Sequence, residues 1–140
     1  MNKLSTVLLV DDDETSNFLH QRLLHRLNIA DQVLVALNGE QALEMLAQRG
    51  TLFSPVRPAL VLLDLNMPVM GGIEFLDAFQ AMPLLQQQAV VIVVLTTSMN
   101  PRDLSHVNSL PIAGLISKPL TKEKLSALLE VHFPYLIPVS

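Results

Sequence analysis

Short apolar runs alternate with longer amphipathic stretches along the chain. Val7 to Val10, Ala59 to Leu63, Val90 to Leu95 and Ile112 to Ile116 are apolar and largely unbroken. Runs of this length, rich in β-branched residues, predict strands buried on both faces, as in a parallel sheet. Strands are expected at 5–10, at Gln32 to Leu37, and at 59–63, 90–95 and 112–116.

Helical spacing fills the gaps. Residues 15–27 carry Phe18, Leu19, Leu23, Leu24 and Leu27 as an apolar stripe, and 40–49 carry Ala42, Leu43, Leu46 and Ala47 after an Asn38-Gly39 turn. A third helix follows Gly71-Gly72 with Ile73, Leu76, Phe79 and Met82 on one face, limited by Pro83. Asn100-Pro101-Arg102-Asp103 reads as cap, first position and acidic first turn of a helix ending near Leu110-Pro111. Thr121 caps a last helix bearing Leu125, Leu128 and Leu129. Five strand-then-helix units predict a single α/β domain, a doubly wound (βα)₅ sandwich whose parallel sheet is covered on both faces. The long connection from Arg49 to Pro58 reads as an exposed loop, and residues 1–4 and 134–140 as short tails. Phe133 to Pro138 is apolar and proline-broken, suited to packing back on the domain or meeting a partner.

Composition narrows the function classes. The 140 residues are 50% hydrophobic, enough for a sizeable core in one domain. No run approaches the ~18 apolar residues of a membrane span, and no secretion signal opens the chain, so a cytoplasmic location is expected. Cysteine is absent, which excludes disulfides, thiolate zinc sites and cysteine nucleophiles. A net charge of -4 with scattered Lys and Arg gives no basic face for nucleic acid.

The chemistry lies where the apolar runs end. Asp11, Asp12, Asp64, Thr96 and Lys118 each follow or close such a run. Ligands of open α/β sheets bind beyond the carboxyl ends of the strands, so these side chains are expected on one edge. Adjacent carboxylates leaving a strand point in different directions, so at most two of Asp11, Asp12 and Asp13 face the crevice. Asp12 to Glu14 also suit the first turn of the next helix. Carboxylates brought together from two strands repel unless a cation joins them. Mg²⁺ suits such a set, with Mn²⁺ as an alternative. Thr96 supplies a hydroxyl and Lys118 a point charge for a phosphoryl group, and a carboxylate beside the metal can be the nucleophile.

Leu8-Leu9-Val10-Asp11-Asp12, Leu62-Leu63-Asp64-Leu65-Asn66-Met67-Pro68 with Gly71-Gly72, Val94-Leu95-Thr96 and Lys118-Pro119 together resemble the receiver domain of two-component response regulators. The similarity spans nearly all of the chain, one motif per expected strand. It implies a CheY-like, flavodoxin-like fold with strand order 2-1-3-4-5. It also implies that Asp64 accepts a phosphoryl group from a histidine kinase or phosphotransfer protein. Asp12 and Asp64 would bind Mg²⁺ by side chain, Asp11 through water and Asn66 by its backbone carbonyl. Thr96, Lys118 and the backbone N–H of Thr97 would hold the phosphoryl group, while Asn66 and Ser98 occupy lifetime-tuning positions.

The family usually has Tyr or Phe three residues before the lysine; here that residue is Leu115, which otherwise reads as core. Such a protein is not an enzyme beyond assisting its own phosphorylation and dephosphorylation. The expected output surface is 99–132, used for a downstream protein, onward relay or a weak homodimer of an otherwise monomeric chain, with no output domain. Asp11-Asp12-Asp13-Glu14-Thr15 also satisfies the signature of haloacid-dehalogenase-like phosphatases. Only Glu123 and Glu130 follow Lys118 to serve that family's later acidic motif, and Asp64 to Pro68 would be left unexplained. A non-phosphorylated pseudo-receiver binding module is the other alternative, although all five core positions hold the expected residue types.

Overall fold

The computed structural model describes residues 3–48, 53, 57–97, 101–110 and 112–133, with only the backbone of 103 and 104. The elements are β1 (Leu4–Val10), α1 (Glu14–Leu27), β2 (Ala30–Ala36), α2 (Gly39–Gln48), β3 (Ala59–Leu63), α3 (Gly72–Phe79), α4 (Leu84–Gln88), β4 (Val90–Thr96), α5 (Pro101–Asn108), β5 (Gly114–Ser117) and α6 (Lys122–His132). The five strands form one parallel sheet in the order β2-β1-β3-β4-β5.

The strand residues alternate between two cores because successive side chains point to opposite faces. Leu8, Val10, Val61, Leu63, Ile92 and Val94 pack with Leu46 of α2 and with Phe75, Leu76 and Phe79 of α3. Val7, Leu9, Leu60, Leu62, Val93 and Leu95 pack with Leu23 and Leu24 of α1 and with Leu125, Leu128 and Leu129 of α6. Each fully buried Leu or Val contributes roughly 1.5–3 kcal/mol. The central strands therefore have to be apolar on both faces, which is why they read as unbroken runs. The order reverses at β1: β2 lies on one side of it and β3 on the other. That switch point opens a crevice at the carboxyl ends of β1 and β3.

Several expectations change. Of the expected α1 stripe, Leu23 and Leu24 are buried and Leu27 packs against the core, but Phe18 and Leu19 are 56% and 57% exposed. Asn17 and His20 are buried in their place, and the spacing 17, 20, 24, 27 keeps to one face of a helix. Phe18 lies under the guanidinium of Arg22 at 5.7 Å. In α2 Ala47 is exposed, and α3 ends at Phe79 rather than Met82. Pro83 disfavours helix at the residue before it, and it starts the short additional helix α4. Gln87 of α4 reaches back to donate to the carbonyls of Gln80 and Met82.

Leu4 is not part of a tail; it is buried in β1 and its N–H donates to Ile29 O. β2 and β5 are displaced to Ala30–Ala36 and Gly114–Ser117, following their pairing with β1 and β4. Within the Arg49 to Pro58 connection, Phe53 is buried in the core, so this stretch is not wholly an exposed loop. Phe133 packs back beneath α6. The rest of both segments, residues 49–52, 54–56 and 134–140, and the expected cap Asn100 lie outside the described residues. Among the described residues no helix is long and apolar enough to cross a membrane.

Candidate functional site

Asp11 and Asp64 stand one residue past β1 and β3, and the ladders hold them there. Asp11 N donates to Ala36 O at 3.0 Å and Asp64 N to Val10 O at 2.9 Å. Behind Asp64, Gly72 opens α3 so closely that a Cβ would fall 2.5 Å from Asp64 O and 2.8 Å from Leu65 Cα. Only a glycine fits that approach.

Asp11, Asp12 and Asp64 each present a carboxylate oxygen such that all three lie within 4.8 Å of one another. Asp11 is buried, Asp64 half-buried and Asp12 exposed. Both oxygens of Asp11 are engaged: Oδ1 accepts from Asp13 N at 2.9 Å and Oδ2 from Lys118 Nζ at 2.6 Å. The same ammonium lies 3.6 Å from Asp64 Oδ1. Asp13 turns away and caps α1, its Oδ1 accepting from Thr15 N at 3.1 Å. The helix-start reading therefore holds for Asp13, and the second aspartate of a phosphatase-type signature faces away from the cluster.

Thr96 ends β4, buried, and pairs with Ser117 across to β5. Thr97 follows as an exposed bend, and Asn66 is exposed two residues after Asp64. Lys118 leaves β5, its N–H donating to Thr96 O at 2.8 Å and its peptide bond to Pro119 being cis. Ser98 lies outside the described residues. Leu115 departs from the core reading at 39% exposure. Alternation along β5 places Ile116 on the α1/α6 core and sends Leu115 to the opposite face of this edge strand.

The loop after Asp64 is tight. Met70 N donates to Pro68 O at 2.8 Å around Val69, whose φ is 69°. This is a γ-turn at positive φ, strained for a β-branched residue. Met70 O accepts from Gly39 N at 2.8 Å, tying the loop to the start of α2.

Electrostatics follow from these neighbours. Burial raises the pKa of Asp64 and the Asp11 charge adds to the rise, against the opposing pull of Lys118. Burial alone would lower Lys118, but the hydrogen bond and charge of Asp11, then Asp64, outweigh it and hold the ammonium above its ordinary value. Such an arrangement keeps a basic, half-buried carboxylate beside a permanent cation, with room for a divalent ion between the acids.

Two residues of this neighbourhood were not singled out from the sequence. Asn17 Nδ2 donates to Asp11 O at 2.9 Å. Buried His20 has its pKa lowered by burial first and by Lys118 second, with Asp11 and Asp13 opposing. Their signal was present as polar residues continuing the Leu24/Leu27 face toward the acidic run.

Residues 7–130 match the response regulator receiver domain family. The chain is 35% identical over 103 residues to the response regulator Rcp1 of a Synechocystis species, covering 74% of this chain and 69% of that one. It is 32% identical over 127 residues to a probable chemotaxis protein CheY of Rhizobium etli, covering 91% of each. A crystal structure of a two-component response regulator from Cytophaga hutchinsonii superposes with a TM-score of 0.81 at 25% identity, covering 95% of this chain and 99% of that one.

Proposed function

The chain belongs to the response regulator receiver domain family of two-component signalling, and from that premise we propose that it is a phosphorylation switch whose acceptor is Asp64. The observation that carries this reading is the juxtaposition of a half-buried, basic Asp64 with Lys118 at 3.6 Å and with the carboxylates of Asp11 and Asp12.

In this reading a carboxylate oxygen of Asp64 attacks the phosphorus of a phosphohistidine on a histidine kinase or phosphotransfer protein. The new O–P bond forms as the N–P bond breaks, and the histidine nitrogen takes the electron pair. Asp12 and Asp64 would hold Mg²⁺ or Mn²⁺ by side chain, whereas both oxygens of Asp11 already accept, from Asp13 N and Lys118. Asp11 would act through water and Asn66 through its backbone carbonyl. When bound, the ion neutralises charge on the phosphoryl oxygens. The Thr96 hydroxyl, the Thr97 N–H and Lys118 would hold the transferred group, and Asn66 and Ser98 would govern how long it survives.

The output is a change in binding at 99–132, the region of α5, β5 and α6, read by another protein, by a weak homodimer or by onward relay. Leu115 has neither the ring nor the hydroxyl of the usual switch residue, so the change would run through Thr96 and Lys118. The protein would work in the cytoplasm, without catalysing turnover of other substrates.

Acetyl phosphate with Mg²⁺, followed by intact mass, tests the acceptor. One phosphoryl group on the wild type and none on Asp64→Asn is the expected result. A labelled Asp64→Asn, or an unlabelled wild type, overturns the assignment.

A further inference from the structure

Lys124 is the third residue of α6, where the positive end of the helix disfavours a cation. Its ammonium nevertheless turns back over the β5–α6 connection. Nζ donates to Ser117 O at 2.8 Å, to Pro119 O at 3.1 Å and to Ser117 Oγ at 3.3 Å. An ammonium has three donors, and all three are used here. The two carbonyls are those on either side of Lys118, whose own N–H is held by Thr96 O at 2.8 Å. Thr121, the cap of α6, accepts from the backbone of the same Lys124 at 3.2 Å, so the clasp is anchored in the helix.

The Lys118 side chain is nearly withdrawn from water and its ammonium is held between two carboxylates, so its stem has little freedom to make up for a shift of its own backbone. Lys118 Nζ is 2.6 Å from Asp11 Oδ2 and 3.6 Å from Asp64 Oδ1, and a small backbone displacement would change both distances. We infer that Lys124 is a positioning residue for Lys118: by bridging Ser117 O and Pro119 O it fixes the backbone that aims the Lys118 ammonium between Asp11 and Asp64. The inference rests on the phosphoryl-acceptor reading for its functional consequence but not for its structural one.

The test compares the wild type with Lys124→Met and Lys124→Arg. In Lys124→Met the initial rate of phosphorylation by acetyl phosphate with Mg²⁺ should fall roughly tenfold, less than the ~100-fold that a full ~1 Å misplacement can cost. Lys124→Arg, which keeps the donors, should recover most of it. Independently of phosphorylation, the Lys118 side-chain ammonium should give a slowly exchanging NMR signal in the wild type and in Lys124→Arg. That signal should be lost in Lys124→Met while the backbone spectrum of the β1–β3 region stays in place. An unchanged ammonium signal, or a wild-type rate in Lys124→Met, overturns the inference. If the wild type itself accepts no phosphoryl group, the acceptor reading fails and the ammonium signal alone decides the role of Lys124.

Discussion

Lys118 Nζ lies 2.6 Å from Asp11 Oδ2, a contact between residues 107 apart in the chain that joins the ends of β1 and β5. Both side chains are nearly withdrawn from water, at 13% and 7% exposure. Breaking such a pair leaves a charge without its partner and costs more than the pair itself contributes. Lys118→Met should therefore destabilise the protein by about 3 kcal/mol. Urea unfolding measures this, and added Mg²⁺ should restore part of the loss by neutralising the exposed acids.

Asp64→Asn should act in the opposite direction. The folded-state pKa of Asp64 is raised, chiefly by burial. Above that pKa the ionised carboxylate costs the folded state more than the unfolded one, and the cost disappears as pH falls through it. Near pH 7 without metal, Asp64→Asn should melt a few degrees higher than the wild type. The difference should shrink toward about pH 4, where the carboxylate protonates in both states. Calorimetry across pH checks both parts.

Divalent metal should stabilise the wild type. A ligand that binds only the folded state at a hundred times its Kd adds about 2.7 kcal/mol. Asp12 is the exposed member of the acid cluster. Asp12→Asn should reduce the Mg²⁺-induced rise in melting temperature, and a chelator should abolish the rise in the wild type. A rise of equal size in Asp12→Asn would remove that residue from the metal site.

His20 should make stability fall at mildly acidic pH. Its folded pKa is lowered by burial and then by Lys118, against Asp11 and Asp13. The unfolded state therefore binds a proton first, and stability is lost as pH drops below about 6.5 toward the lower folded value. The slope approaches about 1.4 kcal/mol per pH unit for one proton. In His20→Leu the dependence between about pH 7 and pH 5 should flatten.

Val69→Asn should stabilise the loop that follows Asp64. Val69 sits at φ 69° and is exposed, so its side chain contributes little packing. Asn tolerates positive φ more readily than a β-branched residue. A gain of about 1 kcal/mol in chemical denaturation is expected, the lower end of the cost of such a conformation. A loss of stability would show that Val69 makes contacts outweighing its strain.

Much of the fold was legible because burial on both faces of a parallel sheet demands uninterrupted apolar residues. Leu60 and Val61 point to different cores, yet both must be apolar, and the run announces the strand. The acids were legible for a related reason: a charge directly after such a run has left the sheet at its carboxyl end. Helix faces were harder. Near the site Asn17 turns inward to donate to the carbonyl of Asp11, and His20 is buried on the same face, while Phe18 and Leu19 point out. A reading that counts apolar residues selects the wrong pair there. Lys124 was invisible for another reason, since its three acceptors come from backbone and side-chain oxygens near a turn whose path no local pattern describes.

The sequence by itself determined the parallel α/β class, the five strands, and which charged or polar side chains stand at their carboxyl ends, because these follow from local spacing and the need to bury apolar surface. Only the tertiary structure decided how those side chains divide their work. It placed Lys118 against Asp11, turned Asp13 into a cap, left Asp12 exposed, sent Leu115 outward and set Lys124 across the carbonyls flanking Lys118. Those outcomes depend on distances between elements far apart in the chain, which packing and electrostatics settle together once the sheet has assembled.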